Sequence, residues 1–209
     1  MNRAKSQRRF VFACLAPAVI LVALFMFWPT VNVFRMSLYR MGGITNRKEF
    51  IGLQNFKTLM EDKNFLEAMQ NTILIIVMVM IFTIVFAILF AAILQRGKFK
   101  GKNFFRVIFY IPNILSIVVI GGIFGAIYDP SNGLLNTFLE AVHLDFLTHK
   151  WMGEPKIVIY SIIFALVWQA IGYYMVMYMS GMSAIPEDLY EAASLDGSSE
   201  INTFFTVTL

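Results

Sequence analysis

The last long apolar stretch of this sequence carries four residues whose side chains can bind a polar ligand. Gln169 lies near its middle, and Tyr173, Met177 and Ser180 follow at helical spacing on one face. An amide and hydroxyl groups can bond a hydroxylated ligand, and they can equally bond a neighbouring helix. Polar contacts between helices in lipid contribute only about 0.6 kcal/mol each on average, so helix packing is the plainer interpretation and both stay open.

The residue types that bind metals or attack substrates are few and badly spaced. His143 and His149 are separated by a segment containing Asp145, a spacing that does not bring ligands to one helix face. Cys14 is the single cysteine, which excludes an internal disulfide. A glycine-rich phosphate loop with a lysine is also missing. We therefore expect no metal, no cofactor, no ATP bound by this chain and no catalytic role.

Composition places these residues in a membrane protein. Of the 209 residues, 58% are hydrophobic and 14% are charged, and the mean hydropathy is +0.69. Soluble domains carry roughly 45–50% apolar and about 25% charged residues. Four stretches are long and apolar enough to cross a bilayer as helices, which takes roughly 20 residues each. These predicted spans are 10–29, 71–94, 104–128 and 157–181.

The distribution of Lys and Arg predicts the orientation of the spans. The tail 1–9 and the loop 95–103 are densely basic and contain no acid, whereas the segment 129–156 holds few cations. Basic residues close to span ends favour the cytoplasmic side. We therefore expect a cytoplasmic N-terminus, outer segments at 30–70 and 129–156, and a cytoplasmic segment at 182–209.

Both outer segments contain apolar residues at helical spacing. In the first, a turn is predicted at Gly42-Gly43, followed by a short amphipathic helix from Phe56 to Met69. In the second, a turn at 129–133 precedes an apolar stripe from Leu134 to Val142. The stripe predicts a helix in the membrane interface that packs on the outer ends of the spans, with partner contact as the alternative.

Four residues of the third span predict a kink and a close helix contact. Pro112 removes a backbone donor, and Asn113 can bond a freed carbonyl, so the helix should loosen or kink there. Gly121 and Gly125 form a small-xxx-small pair that permits close helix approach.

The final segment, 182–209, is polar and acidic, with no Lys or Arg. Pro186 suits the start of a helix, and the acids that follow it suit the positive end of the helix dipole. Gly197 can end this helix in the left-handed conformation. Ser198 or Ser199 can then cap a second amphipathic helix. The pattern predicts a short helix, a glycine break and another helix.

This segment also resembles a known motif. The run from Ala184 to Gly197, Ala-Ile-Pro-Glu-Asp-Leu-Tyr-Glu-Ala-Ala-Ser-Leu-Asp-Gly, resembles the Glu-Ala-Ala loop of bacterial ABC importer permeases, and the likeness continues through Phe204-Phe205. Shorter segments are similar to the carbohydrate branch of that family, known from maltose and multiple-sugar permeases. They are Phe50–Phe56, Asn71-Thr72, Tyr110–Pro112 and Asp129–Asn136.

The resemblance implies an all-α fold and a set of partners. The chain would form part of a six-helix importer permease in a bacterial inner membrane. It would pair with a second permease, a cytoplasmic ATPase dimer and an extracytoplasmic sugar-binding protein. The Glu-Ala-Ala helix would transmit ATPase motion to the spans, and the Gln169 face would line the sugar pathway. The coupling residues implied are Pro186, Glu191, Ala192, Ala193, Asp196 and Gly197.

One departure from the family pattern concerns length. The family has two further spans after this loop, and the printed sequence ends at Leu209, so we expect a fragment or a truncated product. The sugar and the identity of the second permease do not follow from the sequence. A membrane-embedded enzyme, or a membrane-anchored assembly or sensor subunit, remains the alternative from another class.

Overall fold

The computed structural model describes residues 3–41, 48–97 and 100–208. These residues are mostly helical, with a single short pair of strands, in agreement with the predicted all-α fold. The chain divides into two compact units, residues 1–70 and 71–209. The predicted turn at Gly42-Gly43, the loop residue Lys98 and the terminal Leu209 lie outside the described residues.

The first unit begins with a long apolar helix. Helix α1, Arg3–Val22, runs through a π turn at Ala23–Phe27 into α2, Trp28–Met36. The π turn has a local cause, because Pro29 has no N–H to continue the α-helical bonding. Just before the proline, the Trp28 N–H donates to the carbonyl of Ala23, five residues back. The predicted span 10–29 lies within this longer helix, of which Gln7–Met36 is apolar enough to cross a membrane.

A short hairpin follows, which the sequence pattern did not predict. Strand β1, Tyr39–Met41, pairs antiparallel with β2, Lys48–Phe50. The rings of Tyr39 and Phe50 lie opposite each other, 5.3 Å between centroids. The side-chain amide of Asn55, in the next helix, donates to the Ser37 carbonyl at 2.7 Å and to the Tyr39 carbonyl of β1 at 3.2 Å, and so ties the hairpin to that helix.

The amphipathic helix predicted from Phe56 to Met69 is divided in two. Helix α3, Gln54–Glu61, ends at Asp62, and α4, Lys63–Arg96, begins immediately after it. The Asp62 carboxylate accepts from the Asn64 N–H at 2.9 Å and so caps the new helix. The second predicted span is correspondingly part of a helix that starts eight residues earlier, at Lys63 rather than Asn71.

The third predicted span is not one straight helix. Helix α5, Lys102–Ile114, and α6, Ile117–Ile127, meet at a break of 104°. The break falls at Leu115-Ser116, just beyond Pro112 and Asn113. There Ser116 is extended, with ψ of 152°, and its hydroxyl accepts from the Val119 N–H to cap α6. Among the described residues, three helices are long and apolar enough to cross a membrane, and the bent pair makes a fourth crossing if it counts as one span.

The remaining elements are α7, Leu134–Ala141; α8, Val158–Met182; α9, Glu187–Leu195; and α10, Glu200–Thr203, which runs into a π turn at Phe204–Thr208. Helix α7 coincides with the apolar stripe predicted from Leu134 to Val142. Helix α8 covers the fourth predicted span almost exactly as drawn from the sequence.

Two apolar clusters hold the second unit together. In the first, small residues of α4 meet methionines of α8, whose flexible side chains fill the space between the two helices. Its buried members are Ala87, Ala91, Leu94, Met175, Met179 and Met182. In the second, Ile120, Phe124 and Tyr128 of the third span pack with Trp151 and Trp168. Met175, Met179 and Trp168 of α8 thus pack within this chain.

Close helix approach occurs at a glycine that the sequence pattern did not single out. A Cβ built on Gly172 of α8 would overlap the Phe109 carbonyl of α5 and lie 2.8 Å from the Tyr110 Cα. At Gly121 and Gly125, by contrast, nothing among the described residues lies within 4 Å of such a Cβ. Both glycines face outward from the described part of the chain, so the close approach of another helix at this pair stays a prediction.

Candidate functional site

The α9 segment has the features predicted for a short, sharply bounded helix. Pro186 occupies the N-cap position with ψ of 138°, one residue earlier than expected, and Glu187 and Asp188 fill the first turn. At the other end, the Gly197 N–H donates to the Ser194 carbonyl at 3.1 Å. The Ser198 N–H donates to the Ala193 carbonyl at 3.0 Å. These two bonds form a Schellman motif, which requires the left-handed φ of 73° that Gly197 adopts.

Four of the six predicted coupling residues lie on one surface. Ala192, Ala193, Asp196 and Gly197 line an open depression of about 760 Å³. The rest of its wall is formed by Leu189, Ser198, Ser199, Asn202, Thr206 and Val207. The two alanines present no bulk beyond Cβ, so another protein's backbone can approach closely there. Of the other two predicted residues, Pro186 starts the helix and Glu191 is exposed beside the alanines.

The helix after α9 is fixed by its own cap and by a bond to α9. The Ser199 hydroxyl accepts from the Asn202 N–H at 3.3 Å, which makes Ser199 the cap of α10. The side-chain amide of Asn202 donates to the Ser198 hydroxyl at 2.9 Å. Further along, the Tyr190 and Thr208 hydroxyl oxygens are 3.2 Å apart. The two elements are therefore joined by a turn and by a side-chain hydrogen bond.

A second cleft, of about 1190 Å³, lies between α9, α10 and the ends of the long helices. Its wall carries both charge signs, with Lys102 on α5 and Glu187 and Glu200 on α9 and α10. At its edge, the Gln95 amide donates to the Ser183 hydroxyl at 3.0 Å and links the ends of α4 and α8. Across this cleft, the α9 segment faces the helix ends that it is expected to move.

The four candidate pathway residues lie on α8, away from its methionine face. Tyr173, Met177 and Ser180 are exposed, and Gln169 is half-buried. The opposite face is closed against α4, where Met175 is fully buried. The described part of the chain thus leaves the Gln169 face uncovered over most of its length.

A polar cluster in the second outer segment escaped the sequence analysis. Asn136 of α7 is buried, and its side-chain oxygen accepts from the Trp151 indole N–H at 2.7 Å. Its amide donates to the His149 carbonyl at 3.1 Å. The Ser161 hydroxyl of α8 donates to the Trp151 carbonyl at 2.9 Å. Asn136 and Trp151 are 15 residues apart in the sequence, so the sequence alone does not show that their side chains meet.

Charged groups at this end also have structural partners. His149 Nδ1 lies 3.3 Å from a Glu154 carboxylate oxygen. The Asn132 and Ser131 N–H groups both donate to the Asp129 carboxylate, at 2.9 Å each, and hold its pKa below the usual value. Among the described residues, no group of three His, Cys, Asp or Glu side chains is placed to hold a metal ion.

Comparison with known proteins identifies the family. A family model described as "Binding-protein-dependent transport system inner membrane component" matches residues 83–209. The probable ABC transporter permease protein YurN of Bacillus subtilis is 36% identical over 196 residues, which cover 93% of this chain and 67% of that protein. The diacetylchitobiose uptake system permease protein NgcF of Streptomyces coelicolor is 29% identical, over 96% of this chain and 59% of that protein.

The fold matches a solved transporter. The crystal structure of a bacterial alginate ABC transporter, in complex with its alginate pentasaccharide-bound periplasmic protein, aligns with a TM-score of 0.84 at 24% identity. The alignment covers 98% of this chain and 67% of that one, so the chain spans about two thirds of its relatives. The chain belongs to the family of binding-protein-dependent transport system inner membrane components, the permeases of ABC transporters.

Proposed function

We propose that this chain is the permease part of an ATP-driven importer that moves a sugar or oligosaccharide across the cytoplasmic membrane by alternating access. The main support for this proposal is α9. This helix has acidic residues in its first turn and alanines that line an open depression, and it lies in the sequence between the span α8 and the next helix. The permease named for diacetylchitobiose uptake and the alginate transporter support a carbohydrate substrate.

The orientation proposed is a cytoplasmic N-terminus, with α9 on the same side. Basic residues near the ends of α1 and α4 support it, as does the acidic α9 surface that a cytoplasmic partner would need to reach. The partners proposed are an ATPase dimer at α9, a second permease against the uncovered helices, and an extracytoplasmic sugar-binding protein at the outer segments. ATP hydrolysis is assigned to the ATPase, and this chain is non-catalytic.

The test uses the full-length permease expressed with an ATPase and binding protein from its own source. Co-purification with the ATPase is expected, as is ATP hydrolysis stimulated by the loaded binding protein. Uptake into liposomes is measured for maltose, lactose, diacetylchitobiose and alginate oligosaccharide, with sn-glycerol 3-phosphate as the non-carbohydrate comparison. Uptake of sn-glycerol 3-phosphate and of none of the carbohydrates would overturn the sugar assignment.

Orientation is tested by cysteine labelling in a Cys14→Ser background. Glu191→Cys should react with a membrane-impermeant maleimide only after the cells are opened, because α9 is expected to face the cytoplasm. Thr137→Cys on α7, which is exposed, should react in intact cells. Labelling of position 191 from outside would exclude contact between α9 and a cytoplasmic ATPase.

A further inference from the structure

We infer that Tyr190 is a positioning residue that makes α9 and the helix after it move as one body during coupling. This inference rests on the proposed function, since it concerns how α9 passes motion to the next helix. Tyr190 acts through Thr208, whose hydroxyl lies 3.2 Å from its own, 18 residues further along the chain.

Tyr190 differs from its neighbours in where it points. Glu191 and Ala192 are exposed, whereas Tyr190 is half-buried. Its ring shares the wall of the larger cleft with Glu200, Ile201 and Phe204. The alanines line the depression on the other side of α9. Helix α9 therefore has one face toward its own chain, where Tyr190 lies, and another free for a partner.

If the bond between Tyr190 and Thr208 were absent, the turn between α9 and α10 could act as a hinge. Only residues 196–199 connect α9 to α10, and Gly197 in their midst has no side chain to restrict its rotation. A force applied to α9 would bend such a turn before it moved the next helix. A bond from Tyr190 to Thr208 fixes a second point beyond the turn, and two separated attachments prevent that bending.

Thr208 lies on the same side of its helix as Phe204, because residues four apart share a face. Phe204 lines the larger cleft together with Tyr190. The face that carries Thr208 is therefore the one turned toward Tyr190, in agreement with the 3.2 Å between the two hydroxyl oxygens.

The experiment compares Tyr190→Phe, Thr208→Val and the double variant in the full-length transporter in liposomes. Each variant should keep its ATPase association but transport about three- to ten-fold fewer sugar molecules per ATP, the range set by the loss of one hydrogen bond. Thr208→Ser keeps the hydroxyl and should restore the wild-type ratio. Thr203→Val is the matched control, because the Thr203 hydroxyl donates within its own helix, to the Ser199 carbonyl, and Thr203 lines neither the cleft nor the depression.

A second measurement does not depend on transport. Spin labels at Asp188→Cys and Thr206→Cys, in a Cys14→Ser background, should give a narrow distance distribution that Tyr190→Phe broadens. The inference would be overturned if Tyr190→Phe changed neither the distance distribution nor the number of sugar molecules transported per ATP. It would also be overturned if the losses caused by Tyr190→Phe and Thr208→Val multiplied in the double variant, because the two residues would then act independently. Loss of ATPase association in Tyr190→Phe would also overturn it, since Tyr190 would then contact the ATPase. Failure of the wild type to bind an ATPase would instead reject the proposed function.

Discussion

The indole N–H of Trp151 donates to the side-chain oxygen of Asn136 at 2.7 Å, and this bond joins α7 to the segment that leads into α8. The Asn136 side chain also donates to the His149 carbonyl and accepts from the His149 N–H. These three hydrogen bonds to one buried side chain hold the second outer segment in a fixed conformation. A partner would therefore meet a preformed surface there.

Replacing this asparagine should loosen the outer surface. Asn136→Leu keeps the volume but leaves the Trp151 N–H and the His149 carbonyl without partners, at a cost of about 1–3 kcal/mol. We expect a lower melting temperature in detergent and faster proteolysis between residues 142 and 157. Thr137→Val, at an exposed neighbouring position, is the control and should change neither. Equal melting temperatures for Asn136→Leu and the wild type would show that the network adds nothing to stability.

The turn before α7 should depend on pH in one direction. Backbone bonds from Asn132 and Ser131 lower the pKa of Asp129, so the folded state prefers the carboxylate. A lowered folded-state pKa contributes stability that is present above the unfolded value of 3.8 and is lost as pH falls through the folded value. Melting curves from pH 6 to pH 3 should therefore show a loss in the wild type that Asp129→Asn lacks. Parallel curves for the two proteins would contradict this.

The crossing of α5 and α8 should tolerate no side chain at Gly172. A Cβ there overlaps the Phe109 carbonyl, which is backbone and cannot move aside. Gly172→Ala should lower stability by about 1–3 kcal/mol, as overpacking does, or shift α8 along α5. Gly121→Ala is the control, since its Cβ meets nothing within 4 Å among the described residues. The yield and melting temperature of the two purified variants provide the comparison.

These glycines also show what the sequence can and cannot give. The four apolar stretches and the α9 boundaries follow from local rules, because hydropathy, a proline, two acids and a glycine act within a few residues. The close approach at Gly172 depends on how two distant helices cross, which spacing within one helix does not reveal. The break in the third span was expected near Pro112, but its angle of 104° depends on packing of Phe124 and Tyr128 against Trp151 and Trp168.

A role of the Gln169 face in transport is tested by Gln169→Leu. If this face lines the pathway, losing the amide should change which sugar is taken up, or lower uptake several-fold, while ATPase association stays intact. Tyr160→Phe, at an exposed position near the start of α8, is a matched control on the same helix. Uptake equal to the wild type for every carbohydrate tested would leave helix packing as the role of Gln169.

The coupling role of α9 is tested by two substitutions with different physical effects. Glu191→Lys reverses a charge on the exposed face and should weaken ATPase binding without disturbing the helix. Gly197→Asp places a side chain at φ of 73°, which costs an L-residue roughly 1–2 kcal/mol and should shift the Schellman turn. Both variants should insert into the membrane normally and lose sugar-stimulated ATP hydrolysis. Lys100→Glu, a charge reversal at an exposed position of the loop 95–103, is the control and should keep both properties. Normal stimulation in both α9 variants would mean that the motion of the ATPase enters the permease elsewhere, because these changes alter the charge and the backbone of the segment proposed to receive it.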